Sequence, residues 1–310
     1  MHFDYLIVDA SNLAFTSYFS TDLALKSPEG FPTNMILGFY RKFFTIAKKY
    51  KPSVIFTAME GGKTFRSDIH PEYKAGRREK PADLTRQLRA LPILCKTMGW
   101  NPITVQGFEA DDVMCSFAKN AEKEGKTTLI YSQDKDLLCL HSELTRIHTK
   151  VDGTEGLATT ESITAKFGVP PNKVNDFLCL AGDTADNIPG VYKIGAVTAA
   201  KLINEYGTSD AVFENLDKIT GKTGEHLRNG VEQYKLSKSL VTMREDVIFD
   251  VMNPQISPDI QGMKAIFDKL GMHHSKSDFE AYYKLNKAKE NNEVLKEPEP
   301  SKEKSQMTFL

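Results

Sequence analysis

The chain reads as an α/β protein, with a mostly parallel central sheet carrying helices on both faces, followed by a helical module. Three observations predict this. Short apolar runs alternate with helix-length amphipathic stretches over the first two-thirds of the 310 residues. The strand candidates are almost continuously apolar, as strands covered on both faces are. From about Thr160 to Leu285 the pattern turns helical with short loops.

Taken in order, Phe3–Asp9 is the first expected strand. Pro32 precedes a helix expected over Thr33–Tyr50, and Ser53–Ala58 is the second strand. Pro102–Val105 gives a third, followed by a helix over Glu109–Glu124 that Gly125 stops. Thr127–Ser132 is another buried strand. Ligands in such sheets gather at the carboxyl ends of the strands, which is where chemistry is to be sought. Residues 286–305 are dominated by Lys, Glu, Asn and Pro, with almost nothing apolar beyond Val294 and Leu295. Such a segment cannot bury enough surface to fold alone and is expected to be a flexible tail. The expected division is therefore an α/β domain over 1–159, a helical subdomain over 160–285, and a tail over 286–310. No internal repeat is evident.

Composition excludes several classes. With 40% hydrophobic and 26% charged residues the chain is an ordinary globular one, and no run reaches the ~18–20 apolar residues of a membrane helix. The opening Met1-His2-Phe3-Asp4 has no basic-then-apolar leader pattern. Cys95, Cys115, Cys139 and Cys179 lie 20, 24 and 40 residues apart, which is neither a zinc nor a disulfide spacing. A reducing, cytoplasmic setting is expected. The net charge of −1 hides an uneven distribution: setting aside nine acids assigned below to one cluster leaves 40 Lys/Arg against 32 Asp/Glu. Lys63–Lys96 alone holds nine Lys/Arg and four Asp/Glu. Neutrality thus leaves a nucleic-acid partner open.

The carboxylates carry the chemistry. Asp9 ends the first strand; Glu109, Asp111 and Asp112 follow the third; Asp134 and Asp136 follow the strand ending at Ser132; Asp183 and Asp186 stand three apart at a helix-to-loop boundary. A lone Asp is usually an exposed acid or a helix cap. Acids delivered from three strands to one edge repel unless a cation intervenes. The donors are all oxygen, with no His or Cys among them, so Mg²⁺ or Mn²⁺ is favoured over Zn²⁺. Two such ions ~3.5–4 Å apart would suit phosphodiester hydrolysis.

These motifs, in this order and spacing, resemble the 5′-nuclease family (flap endonuclease, 5′→3′ exonuclease) in its phage and bacterial form. The carriers are Val8-Asp9, Phe65-Arg66, Glu72-Tyr73-Lys74-Ala75-Gly76-Arg77, Glu109-Ala110-Asp111-Asp112, Asp134-Lys135-Asp136 and Gly182-Asp183 through Gly190-Val191. The resemblance spans about Phe3 to Met272 and implies a PIN-like sheet domain followed by a helix-three-turn-helix form of the helix-hairpin-helix. It makes Asp9, Glu109, Asp111, Asp112 and Asp134 the surroundings of one metal and Asp136, Asp183 and Asp186 those of a second. Met59 stands where the family has an Asp six residues before the Phe, and the adjacent Glu60 is taken as its substitute. The resemblance also implies a helical arch at about 60–98, in which Lys74 and Arg77 look like the family's cations that assist cleavage at the 5′ phosphate. Lys63, Arg66, Tyr73 and Arg78 are expected to add contacts to a single strand.

Pro189–Gly195 joins two helices and looks like a helix-hairpin-helix. Gly190, Val191, Lys193 and Gly195 are expected to hold duplex backbone, with the following helix (Ala196–Tyr206) offering free N–H groups. The family often binds K⁺ there; Lys193 replaces its more usual Gly. The ending Gln306-Met307-Thr308-Phe309-Leu310 resembles sliding-clamp-binding peptides through Gln306, Met307, Phe309 and Leu310, although Phe-Leu inverts the commoner order. The expected activity is a stand-alone, monomeric, divalent-metal-dependent 5′ nuclease. Its substrates would be 5′ flaps, nicks and 5′ ends of DNA, and RNA primers in RNA–DNA hybrids. No polymerase segment is expected in a chain of this length. The rival readings are a PIN-type ribonuclease and a non-catalytic structure-specific DNA-binding protein.

Overall fold

The computed structural model describes residues 2–77, 79–151, 153–249 and 257–294. Among these, six strands form one sheet: β1 (Tyr5–Asp9), β2 (Val54–Met59), β3 (Asn101–Thr104), β4 (Thr128–Tyr131), β5 (Thr145–Val151) and β6 (Thr154–Leu157). Their spatial order is β3-β2-β1-β4-β5-β6, parallel throughout except for the terminal β5–β6 hairpin. The chain steps outward from β1 to β2 and β3, then crosses back to lay β4 along the other side of β1. This reversal makes the carboxyl ends of β1 and β4 the switch point of the sheet, the place where ligands gather in such folds.

The helices are α1 (Ala10–Ser20), α2 (Asn34–Tyr50), α3 (Phe65–Ile69), α4 (Ala82–Thr97), α5 (Ala110–Lys123), α6 (Thr160–Phe167), α7 (Val174–Ala181), α8 (Ala196–Tyr206), α9 (Ser209–Glu214), α10 (Gly221–Asn229), α11 (Val231–Val241), α12 (Ile260–Leu270) and α13 (His273–Val294). Successive residues of β1 sort into two apolar layers, as the period of two demands. Ile7 joins Phe56, Ile130 and the α5 residues Val113, Met114 and Phe117 in one layer. That layer continues into the helical module through Leu178, Ile203 and Leu240. Leu6, Val8 and Leu129 face the other layer, where Phe43 stacks on Trp100 with centroids 3.6 Å apart.

The expected α/β fold with both faces covered is what forms. The helical stretch expected as one unit over 160–285 divides between the two layers. Helices α6 to α11 extend the first, whereas Met263 and Phe267 of α12 and Phe279 of α13 close the second. Tyr40 Oη donates to the Ser275 carbonyl at 2.9 Å and ties α13 to α2. Helix α13 also continues to Val294, past the expected limit near Leu285, because a helix nucleated by its packed first turns propagates through polar residues at little cost. The β5–β6 hairpin was not anticipated: Thr145–Val151 is mostly polar, and among its described side chains Ile147 joins an apolar layer. Among the described residues no helix is long and apolar enough to cross a membrane.

Candidate active site

Asp9 is both the last residue of β1 and the N-cap of α1. Its Oδ1 accepts from the Asn12 amide at 2.9 Å and its Oδ2 from Ser132 Oγ at 2.9 Å. The Ser132 hydroxyl in turn accepts from the Asp134 amide at 3.0 Å, and Asp134 Oδ1 accepts from the Asp136 amide at 3.0 Å. A ladder of short polar contacts thus hangs the post-β4 acids on the end of β1. Glu109 caps α5 and Asp111 lies in its first turn, where the helix dipole favours carboxylates. Beyond α7, Asp183 and Ile188 exchange both backbone hydrogen bonds, at 2.9 and 2.8 Å, closing the loop that carries Asp183 and Asp186. Carboxylate oxygens of Asp136, Asp183 and Asp186 consequently lie within 4.8 Å of one another.

This crowding shows in the protonation behaviour. Burial pushes the Asp9 carboxyl up to about 7, with the charges of Glu60 and Asp134 adding to it and the Asn12 and Ser132 hydrogen bonds opposing. Asp136 is also pushed up to about 7, first by burial and then by Asp134 and Asp183. Asp111 is driven well above the usual carboxylate range by burial, Asp134 and Asp9. Glu60, at the exposed rim, is raised by the loss of water around its carboxyl and by Glu109, against Lys74, Lys80 and Arg77.

Three cations answer the acids. Lys74 Nζ lies 2.9 Å from Glu109 Oε1 and 3.7 Å from Asp186 Oδ2; Arg77 Nη2 donates to Asp186 Oδ1 at 2.6 Å; Lys135 Nζ lies 2.9 Å from Asp183 Oδ1. Burial disfavours the charged form of all three, yet the neighbouring carboxylates hold each above its ordinary value. The residues fit a hard divalent cation: the donors are oxygens throughout, and Asp136 Oδ1 is buried with no hydrogen-bond partner.

The family profile for the 5′-3′ exonuclease N-terminal resolvase-like domain matches residues 4–168, and that for the 5′-3′ exonuclease C-terminal SAM fold matches residues 169–261. The chain belongs to the 5′-3′ exonuclease family. The 5′-3′ exonuclease of Aquifex aeolicus is 32% identical over 270 residues, covering 86% of this chain and 91% of that one. A thermostable DNA polymerase I from Thermus thermophilus is 34% identical over 268 residues, 86% of this chain, but the match takes up 32% of the polymerase. Among solved structures, the zinc-bound T5 5′-exonuclease shares the fold with a TM-score of 0.63 at 20% identity, covering 89% of this chain and 97% of that chain.

In this chain the structure corrects several expectations. Asp112 is engaged by an arginine and by backbone amides. It is fully buried, its two oxygens 2.7 and 2.8 Å from the Arg66 guanidinium, and it also accepts from the Glu109 and Arg244 amides. A carboxylate so occupied is a structural partner. Arg66, expected at DNA, is 2% exposed and belongs to that buried ion pair. Tyr73 is buried as well, its hydroxyl donating to Glu109 Oε2 at 3.1 Å, so its ring is unavailable for stacking on a base. Lys63 is exposed and pairs with Asp68. Arg78 lies outside the described residues, as do Gln306, Met307, Phe309 and Leu310.

The hairpin forms with one redistribution of roles. Gly190 sits at φ 63° so close to the chain that a Cβ would lie 2.5 Å from the Gly182 nitrogen. Its amide donates to Ser237 Oγ, and that of the buried Val191 donates to the Leu180 carbonyl. Both amides are therefore spent inside the fold, which corrects their assignment to phosphate. Lys193 takes a left-handed conformation (φ 63°) that ordinarily favours glycine, and with Gly195 it stays exposed at the start of α8. Sequence reasoning passed over Lys135 and Ser132. Lys135 stands between two singled-out aspartates, a position that could have marked it; the role of Ser132 depends on strand pairing.

Proposed function

We propose that the chain is a divalent-metal-dependent nuclease that hydrolyses DNA phosphodiesters at 5′ ends, nicks and 5′ flaps, leaving a 3′ hydroxyl. The observation that carries it is the convergence of acids from β1, β4, α5 and the post-α7 loop on one crevice rimmed by Lys74 and Arg77. Asp9, Glu60, Glu109, Asp111 and Asp134 would hold one Mg²⁺ or Mn²⁺, and Asp136, Asp183 and Asp186 a second. Bound there, such ions would supply a water of lowered pKa and offset negative charge on a phosphate. Lys74 and Arg77 sit close enough to the acids to bind and orient the scissile phosphate and offset its developing charge. Lys193 and Gly195, with the exposed Tyr192, present the hairpin to the backbone of the duplex without reading sequence. K⁺ is the proposed ion at that hairpin.

Primer removal in replication, including RNA primers on DNA, is the proposed duty, and family membership together with the DNA polymerase I relatives supports it. The chain spans about a third of the length of those polymerases, 32%. A monomer in the cytoplasm, tethered to a sliding clamp by its last residues, completes the proposal; the four cysteines are free thiols, as a reducing compartment would keep them. The test is a gel assay on 5′-labelled flap, nicked duplex, single-stranded DNA and single-stranded RNA, with Mg²⁺ and then with EDTA. Flap cleavage that EDTA abolishes supports the reading. Cleavage confined to RNA would favour a ribonuclease, and binding without cleavage would refute catalysis.

A further inference from the structure

The buried guanidinium of Arg66 joins three parts of the fold that are far apart in sequence. It lies on α3, at the base of the arch segment. Its Nη1 and Nη2 reach Asp112, in the first turn of α5, at 2.7 and 2.8 Å, and Nη1 lies 3.4 Å from Oε2 of Glu109, the N-cap of that helix. Its Nε donates to the Leu240 carbonyl at 2.7 Å and Nη2 to the Thr242 carbonyl at 3.2 Å, at the end of α11. A planar fork with five N–H donors serves all of these acceptors at once, which a lysine ammonium cannot. At its other side α11 holds the hairpin: Ser237 Oγ accepts from the Gly190 amide and Gln233 Oε1 from the Tyr192 amide, each at 2.9 Å. A continuous line of polar contacts therefore runs from the hairpin through α11 and Arg66 to Glu109.

We propose that Arg66 is a positioning residue that fixes the spacing between the duplex-holding hairpin and the carboxylate cluster, and so decides which phosphodiester is cut. The inference rests on the nuclease reading above. Arg66 is too deeply buried to touch DNA, so its effect is exerted through Glu109 on one side and α11 on the other. An α11 end released from α5 lets the gripped duplex shift relative to the acids while the grip itself persists. A displacement of about an ångström at a reacting centre lowers turnover by about 100-fold.

The test compares wild type with Arg66→Lys and with the double variant Gln233→Ala/Ser237→Ala, which loosens the opposite end of the line without touching the buried ion pair. Cleavage of an end-labelled flap is read at single-nucleotide resolution, kcat and KM are separated, duplex affinity is measured in EDTA, and folding is followed by circular dichroism. Wild type is expected to give one dominant product. Both variants should spread cleavage over neighbouring nucleotides, and Arg66→Lys should lower kcat by about 100-fold with duplex affinity in EDTA unchanged. If Arg66→Lys does not fold, the product pattern of the double variant decides. Folded variants that keep the wild-type pattern, with any loss of rate matching loss of folded protein, overturn the proposal. Loss of duplex affinity with an unchanged pattern overturns it too. A wild-type chain that cuts no substrate refutes the nuclease reading itself.

Discussion

Asp136→Asn is the most informative single substitution, because the metal and its absence push the result in opposite directions. Burial, then the charges of Asp134 and Asp183, pushes the Asp136 carboxyl up to about 7 from its ordinary 3.8. The unfolded chain therefore gives up this proton first, and folded stability falls as pH rises from about 4 through 7. The ceiling of that loss is about 4 kcal/mol at pH 8 and about 2 kcal/mol at pH 5, since each unit is worth about 1.4 kcal/mol. Neutral, isosteric asparagine removes the penalty. In EDTA at pH 8 the variant should melt about 5–10 °C above wild type, with a gain near half that at pH 5. In Mg²⁺ the order should reverse, because wild type alone keeps the full ligand set and is stabilised by binding. Turnover of a flap should drop at least about 100-fold. Differential scanning calorimetry at both pH values, with and without metal, reads all of this. An asparagine variant no more stable than wild type in EDTA at pH 8, or one whose gain does not depend on pH, would refute the crowding argument.

Three further outcomes follow from the same geometry. Burial, then Lys49, depresses the His148 imidazole to about 4, so stability present above pH 6.5 is lost as pH falls toward 4. By pH 5 that loss is about 2 kcal/mol, and His148→Phe, which keeps the stack on Tyr131, should abolish it in urea titrations at pH 7.5 and 5. Gly190→Ala should destabilise the chain by about 2–4 kcal/mol and weaken duplex binding in gel shifts, because its Cβ would press on the backbone of residues 181 and 182; a variant as stable as wild type would mean the hairpin is looser than described. Asp183→Ala should lose turnover far more than affinity for a flap. Were affinity to collapse while bound substrate still turned over, Asp183 would belong to the DNA grip.

What could be read from the sequence, and what could not, divides by distance along the chain. The strands of the sheet core and the acids at their ends were legible because a buried parallel strand is a local apolar run and its carboxyl end is a local position. Asp112 shows where this stops. It and Asp111 are adjacent acids on one helix, and composition treats them alike. The geometry of a helix start does not: the N3 position turns back toward the N-cap, and Asp112 there accepts from the Glu109 amide. The spacing of Glu109 and Asp112 was itself a capping-box signal, so this correction was available in principle. Arg66 was not available in that way. Its partners lie 46 residues away at Asp112 and 174 away at Leu240, and nothing local marks an arginine in a basic stretch as a buried one. The same holds for Tyr73, whose partner Glu109 is 36 residues on. A basic, aromatic segment beside an acid cluster offers two physical outcomes, contact with a nucleic acid or neutralisation of the acids from within. The structure takes the second with Arg66 and Tyr73, which hold Glu109 and α5 in place, and it leaves Lys74 and Arg77 less buried beside the acids, where the proposed phosphate contact would fall.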